Sequence, residues 1–374
     1  MSLRFLIVSN FYREFLDGLY AAHPGLAALS YGRQLHELMA TGFGVADAYS
    51  HGLRQAGCDA FDVISNASPL QRRWAAEHGL AVPDVRTWHH DVLDAQVRAI
   101  RPDVVLVFEY NPIGDACLRR SKPHTRLLIG QIASHLPANR TFEAYGLIVS
   151  SWPPIVEHFQ RHGGRGRYLP LAFDERILSR ISLRAPRYDV TFVGGLAECH
   201  DERIGLLERV CAARRVDVWG YGVERLAADS PIRRHYHGPC WGIEMFQVLR
   251  DSRVTLNVHG RIDVPGAAQA RFANNMRLYE ATGVGTCLLT DDIPSLGDLF
   301  EPGIDVATYQ NADDCLERIE ALMSDPARRD SIAGSGQART LAQHTYTHRM
   351  KELLALVTSA LGGRPHHVAT QAAI

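Results

Sequence analysis

Asn274-Asn275-Met276-Arg277-Leu278-Tyr279-Glu280-Ala281-Thr282-Gly283-Val284-Gly285, followed by the apolar Thr286-Cys287-Leu288-Leu289 and then Thr290-Asp291-Asp292, reads as a short helix, a glycine stop and a buried strand. The paired asparagines are good N-caps and Gly283 is a good C′ residue. The charges run against the helix dipole. Arg277 falls in the first turn and Glu280 near the last, and each misplacement forfeits roughly 0.3–1 kcal/mol. An i,i+3 pair between them returns only about 0.2–0.5 kcal/mol. Local stability is therefore a weak reason for the arrangement. A bound anion, held by the free N–H groups of the first turn and by Arg277, is a better one. Glu280, one turn further on, is placed to accept hydrogen bonds from a diol, and a phosphate and a ribose lie about that far apart in a nucleotide. The competing reading is a surface ion pair of negligible worth.

Working outward, short β-rich runs alternate with segments of helical period, the pattern of an α/β chain with parallel sheets. In the first half, strands are expected at 5–9, 61–65, 104–108, 127–130 and 147–150, and helices at 45–55, 69–78, 92–100 and 154–162. A proline-bearing linker spans 169–174, and the pattern then restarts. Strands are expected at 189–193, 216–219, 254–258 and 287–290, with helices at 200–213, 311–323 and from Pro326 onward. The organisation read from this is a Rossmann-like first domain at 1–170, a Rossmann-like second domain at 171–340, a closing helix at 341–361 that returns to the first domain, and a disordered tail at 362–374. Two such units imply a cleft between them. Ligands of open α/β sheets bind beyond the carboxyl ends of the strands, so the edge carrying Gly194-Gly195 and Asn274 is the natural nucleotide site.

With 374 residues, 46% hydrophobic, 22% charged and a net charge of -1, the chain has no basic excess to suggest nucleic acid. Its 7 cysteines are scattered without C-x-x-C spacing, as expected of reduced core thiols in a cytoplasmic protein. No run approaches the roughly 18 apolar residues of a membrane span. The first residues look like a buried strand rather than a signal peptide. Arg72-Arg73 and Arg119-Arg120 are small basic clusters, solvated by default, with peripheral attraction to anionic lipid at the inner face of a membrane as the alternative. Oligomeric state is not legible. His89-His90-Asp91 and His366-His367 lack ligand spacing, so no metal site is expected.

The second half resembles the C-terminal domain of GT-B glycosyltransferases, the CgeB-like (spore-maturation-type) group in particular. The matching elements are Val190-Thr191-Phe192-Val193-Gly194-Gly195, Arg203, Val218-Trp219-Gly220-Tyr221-Gly222, Tyr236-His237-Gly238 and Leu256-Asn257-Val258-His259. They continue through Asn275 to Gly283, Leu299-Phe300-Glu301-Pro302-Gly303, and His344-Thr345-Tyr346 with Arg349. The resemblance implies a GT-B architecture of two Rossmann-like domains facing each other across a cleft. It implies a metal-independent, hexosyltransferase-type enzyme without cofactor that moves a sugar from a nucleoside-diphosphate donor to a hydroxyl acceptor, in polysaccharide or glycoconjugate synthesis. By the same resemblance Glu280 holds the ribose, Gly194, Gly195, Arg203 and Arg277 surround the diphosphate, and the backbone at Trp219-Gly220-Tyr221 reads the base, with Asn275 also in the donor nucleotide site. Many retaining members carry a second glutamate eight positions earlier; here that position is Phe272, which leaves the stereochemistry open.

The residues alone leave blander readings beside these. Gly194-Gly195 can be a plain turn, Arg203 an ion-pair partner of Glu202 or Glu208, and Trp219 a core residue. Thr41-Gly42-Phe43-Gly44, expected in the first domain, can approach donor or acceptor through Gly42 and Gly44, or can simply be a helix-entry loop. Glu109 and His135 follow strand ends of the first domain, where the base of an inverting transfer would sit. The rival functions are a nucleotide-sugar epimerase on the same fold and a non-catalytic, coat-associated binding protein.

Overall fold

A computed structural model of the chain describes residues 2–82, 86–108, 113–137, 140–196, 201–262, 264–265 and 271–362. Chain contacts divide it into two compact units: Met1–Glu37 with Asp47–Leu169 and Thr347–Ile374, and Leu38–Ala46 with Pro170–Tyr346. Glu109 and the tail beyond Gly362 lie outside the described residues.

In the first unit, hydrophobic runs form β1 (Arg4–Ser9), β2 (Asp59–Ile64), β3 (Val104–Phe108), β4 (Leu127–Gln131), β5 (Leu147–Ser150) and β6 (Gly166–Tyr168). They pair in parallel in the order β2-β1-β3-β4-β5-β6. β3, β4 and β5 are buried along nearly their whole length, which is why they read as continuous apolar runs rather than as alternation. The strands expected at 104–108 and 147–150 match their observed bounds, and the others shift by one or two residues. The helices Arg13–Ala22, Tyr31–Ala40 and Asp115–Ser121 were not expected.

The second unit repeats the plan with β7 (Tyr188–Val193), β8 (Asp217–Trp219), β9 (Ser252–Asn257), β10 (Cys287–Asp291) and β11 (Ala307–Tyr309), ordered β11-β10-β9-β7-β8 and all parallel. Chain direction across the sheet therefore reverses between β7 and β9, the switch point where a crevice opens at the carboxyl edge. One core cluster packs Val190, Leu207, Leu256 and Leu289 on one side. Another packs Phe173, Trp219, Leu278 and Phe300 on the other. Six free cysteines are described, five of them buried, and burial pushes Cys211, Cys240, Cys287 and Cys315 to about 12. These are protonated, inert core thiols.

Gly42 and Gly44 belong to the second unit, not the first as expected. The Ile243 N–H donates to the Thr41 carbonyl at 3.0 Å, and the Phe43 ring lies 5.5 Å from that of Trp241. Both glycines have positive φ, 68° and 59°. The approach is close enough that a Cβ on Gly242 would sit 2.0 Å from the Thr41 oxygen. No helix among the described residues is long and apolar enough to cross a membrane.

Candidate functional site

The helix expected after Asn275 spans Met276–Gly283, with Asn275 at the N-cap in an extended conformation. Its side chain makes no capping bond, contrary to expectation, and instead donates from Nδ2 to Asn257 Oδ1 at the end of β9. The helix stop is also displaced. Gly283 lies inside the helix, and Gly285 takes the left-handed C′ position with φ of 77°. Thr286 N–H donates to the Ala281 carbonyl and Gly285 N–H to that of Thr282, a Schellman closure. Gly283 is required for a different reason: a Cβ there would meet the Phe173 ring at 2.4 Å.

Phe173 cannot readily yield. Its N–H donates to the His344 carbonyl and its carbonyl accepts from the Tyr346 N–H. The His344 ring packs on Tyr279 and Phe300, with Nε2 3.0 Å from the Leu299 carbonyl. The closing His344-Thr345-Tyr346 motif and the Leu299-Phe300 motif are thus a brace behind this helix.

Arg277 and Glu280 form an ion pair at 2.8 Å, but not at the surface: their side chains are only 12% and 7% exposed. Burial pushes the Glu280 carboxyl above its ordinary value, and Arg277 offsets this only in part. Arg277 also contacts the Met245 sulfur through NH1 and NH2, while its Nε is buried without a partner among the described residues. Asn274 Oδ1, Asn275 Oδ1 and His259 Nε2 are likewise buried and unpartnered. Among the described residues these four polar atoms at the carboxyl edge have hydrogen-bonding capacity to spare.

Arg203 occupies the switch point. Its NH1 donates to the Gly195 carbonyl and its NH2 to the Val258 carbonyl, both at 3.0 Å, tying the end of β7 to the end of β9. The expected partners are engaged elsewhere: Glu202 pairs with Arg261 and Arg271, and Glu208 accepts from Ser230. Gly194, Gly195 and Gly220 permit close packing of strand ends. A Cβ on Gly220 would lie 1.9 Å from the Gly194 oxygen, and one on Gly195 would lie 2.7 Å from the Tyr221 ring. Tyr236 Oη and the Gly238 carbonyl hold the two sides of the Gly220 peptide.

Trp219 is a buried core residue stacked on His237 at 4.3 Å, while Tyr221 is 38% exposed and stacks on Trp241. Within Trp219-Gly220-Tyr221, Tyr221 is the exposed side chain. His135 is exposed, four residues past the end of β4, between half-buried neighbours. Gly194, Gly195, Arg203, Gly220, Tyr221, Asn275, Arg277 and Glu280 thus gather at the carboxyl edge of the second sheet.

Three residues there were not among the expected site residues: Asn257, His259 and Asp291. Asn257 Nδ2 donates to Thr290 Oγ1, and Thr290 donates to Asp291 Oδ1. Asp291 also accepts from the His259 N–H and from its Nδ1 at 2.7 Å, and pairs with Arg271 through Oδ2 at 3.1 Å. Burial would raise the Asp291 carboxyl, but His259 and Arg271 hold it below its ordinary value. The available signal was polar side chains ending apolar strands, at Leu256-Asn257-Val258-His259 and at Thr290-Asp291. Among the described residues no group of three or more His, Cys, Asp or Glu side chains is arranged to hold a metal ion.

Two parallel α/β units, each with a switch point between its first and third strands, define the fold as GT-B. A family model described as "Glycosyl transferase-like" matches residues 203–355. No curated protein matches the chain. Among solved structures, AviGT4, a glycosyltransferase involved in avilamycin A biosynthesis, superposes with a TM-score of 0.61 at 16% identity over 97% of this chain and 99% of its own. HepE of Anabaena, solved with UDP and glucose and also with UDP-glucose, gives 0.59 at 11% identity over 96% of this chain and 100% of its own. A glycosyltransferase from Rickettsia africae gives 0.58 at 9% identity over 97% and 100%. At these identities the likeness is one of fold.

Proposed function

We propose that the chain is a glycosyltransferase that takes a sugar from a nucleoside-diphosphate donor and passes it to a hydroxyl acceptor without a metal ion. The observation that carries this reading is the buried Arg277–Glu280 pair at the start of a helix whose N-cap side chain is turned away. Arg277 and the uncapped N–H groups suit a diphosphate, and Glu280 suits the vicinal hydroxyls of a ribose. Neutralising the departing diphosphate there is the main catalytic contribution this edge offers. The glycosyltransferase-like family match and the UDP-bound HepE relatives support a nucleotide-sugar donor.

His135 and Glu109 are our candidates for the group that takes the acceptor proton. The motifs resembling the CgeB-like group make that branch, working at the cytoplasmic side in glycoconjugate synthesis, the finer assignment we put forward.

The test is a calorimetric titration of the wild type and Glu280→Gln with UDP, GDP, dTDP, CMP and their common sugar conjugates. Selective binding of one diphosphate, lost in the variant, is expected. Binding of none of them by the wild type would refute the assignment.

A further inference from the structure

From the network around His259 we infer that its Nε2 is the hydrogen-bond acceptor for a hydroxyl of the donor sugar, and that this residue helps to select the sugar rather than the nucleotide. The inference rests on the nucleotide-sugar reading above. His259 is 4% exposed and lies two residues past the end of β9. Its ring orientation is fixed, because Asp291 Oδ1 receives both the His259 backbone N–H at 3.0 Å and Nδ1 at 2.7 Å. The same oxygen accepts from Thr290 Oγ1, and the other carboxylate oxygen is paired with Arg271. An ionised Asp291 with four donors is fully satisfied. Nδ1 therefore carries the hydrogen.

The charge on Asp291 is already balanced by Arg271, so a second buried positive charge on the imidazole has no counter-ion to call for it. We assign the ring the Nδ1–H tautomer on that geometry, in which Nε2 presents a lone pair. Nε2 is buried and has no partner among the described residues.

Beside it, Asn274 Oδ1 and Asn275 Oδ1 are further acceptors left without a partner among the described residues. Arg203 reaches the adjacent Val258 carbonyl, and Arg271 reaches Asp291. The Met276–Gly283 helix directs its N-terminus here, linked through Asn275, Asn257 and Thr290 in one continuous chain of hydrogen bonds. A diphosphate, which has only acceptors to offer at neutral pH, suits the first-turn N–H groups of that helix but cannot satisfy Nε2. A hydroxyl can. In a nucleotide sugar, the group beside the diphosphate that carries hydroxyls, apart from the ribose assigned to Glu280, is the transferred sugar. His259 is thus a positioning residue for that sugar, and Asp291 fixes its tautomer.

His259→Asn separates the two ring nitrogens, since the asparagine amide can still donate towards Asp291 but has no atom where Nε2 stood. His259→Gln offers an acceptor near the Nε2 position. With the nucleotide fixed by the panel titration, each protein is titrated with the free diphosphate, with its hexose conjugate and with the conjugate's singly deoxy sugar analogues. For His259→Asn the expected result is unchanged affinity for the diphosphate, within about twofold, and loss of about 3- to 10-fold for the hexose conjugate, one hydrogen bond's worth. One deoxy analogue should bind the wild type and His259→Asn equally, and His259→Gln should recover part of the loss. If His259→Asn weakens diphosphate and conjugate alike, or weakens neither, the sugar contact is refuted while the donor-site reading stands. If the wild type binds no nucleotide, both fall.

Discussion

Replacing Arg277 and Glu280 together by Met and Leu separates a pair kept for binding from a pair kept for folding. The two side chains are 12% and 7% exposed and 2.8 Å apart, so both charges have been largely withdrawn from water. Removing one partner leaves the other uncompensated. Glu280→Ala would strand a guanidinium whose Nε is already unpartnered, at a cost of about 3–5 kcal/mol. In a unit of this size that lowers Tm by about 10 °C. Removing both charges also removes the desolvation penalty, and apolar side chains of similar length can pack against Met245 and Leu278. The double variant should then match the wild type or exceed it by about 1–4 kcal/mol. Its affinity for the nucleoside diphosphate that the wild type binds should be abolished.

The pH dependence gives a second handle on the same pair. The folded Glu280 carboxyl holds its proton more tightly than the unfolded one. Its contribution to stability is therefore fully present below its ordinary 4.5 and is lost as pH rises through the raised folded value. Glu280→Gln should flatten that fall. Urea unfolding followed by circular dichroism from pH 4 to 8, paired with calorimetric titration, reads both effects. A double variant no more stable than Glu280→Ala would refute the desolvation argument, and one that still bound nucleotide like the wild type would refute the functional one.

Asp291 should show the opposite sign. Its folded carboxyl lies below its ordinary 3.8, so its stabilisation is present above that value and lost as pH falls through the folded one. Asp291→Asn should cost about 1.5–3 kcal/mol at pH 7 and progressively less as pH falls below 3.8, measured as urea midpoints. Gly283→Ala places a methyl 2.4 Å from a braced Phe173 ring and should destabilise by about 1–3 kcal/mol in thermal unfolding. Gly220→Ala drives a Cβ onto the Gly194 oxygen, separating the ends of β7 and β8, and should cost about 3 kcal/mol together with nucleotide affinity. Gly205→Ala is the control. It lies exposed in the Asp201–Ala213 helix with open space around it, and should raise stability by about 0.5–1 kcal/mol without touching binding.

The sequence by itself determined the parallel α/β plan, most strand positions and the helix after Asn275, because these follow from short-range signals. A run such as Val104–Phe108 or Cys287–Asp291 is apolar because both faces of a parallel strand are covered. The conflict between Arg277, Glu280 and the helix dipole was also local, and both residues lie on the helix that leads into β10. Tertiary structure decided the rest. That pair is buried beside Met245, 32 residues earlier, and its helix is backed by Phe173 and His344, about a hundred residues before it and sixty after. The same contacts make Gly283 a packing residue and leave Gly285 as the stop. Asn275 gives up its capping bond for Asn257, and His259 gains its fixed tautomer from Asp291, because adjacent parallel strands bring their carboxyl ends together. Register between strands is long-range information, and no window of sequence around either residue contains it.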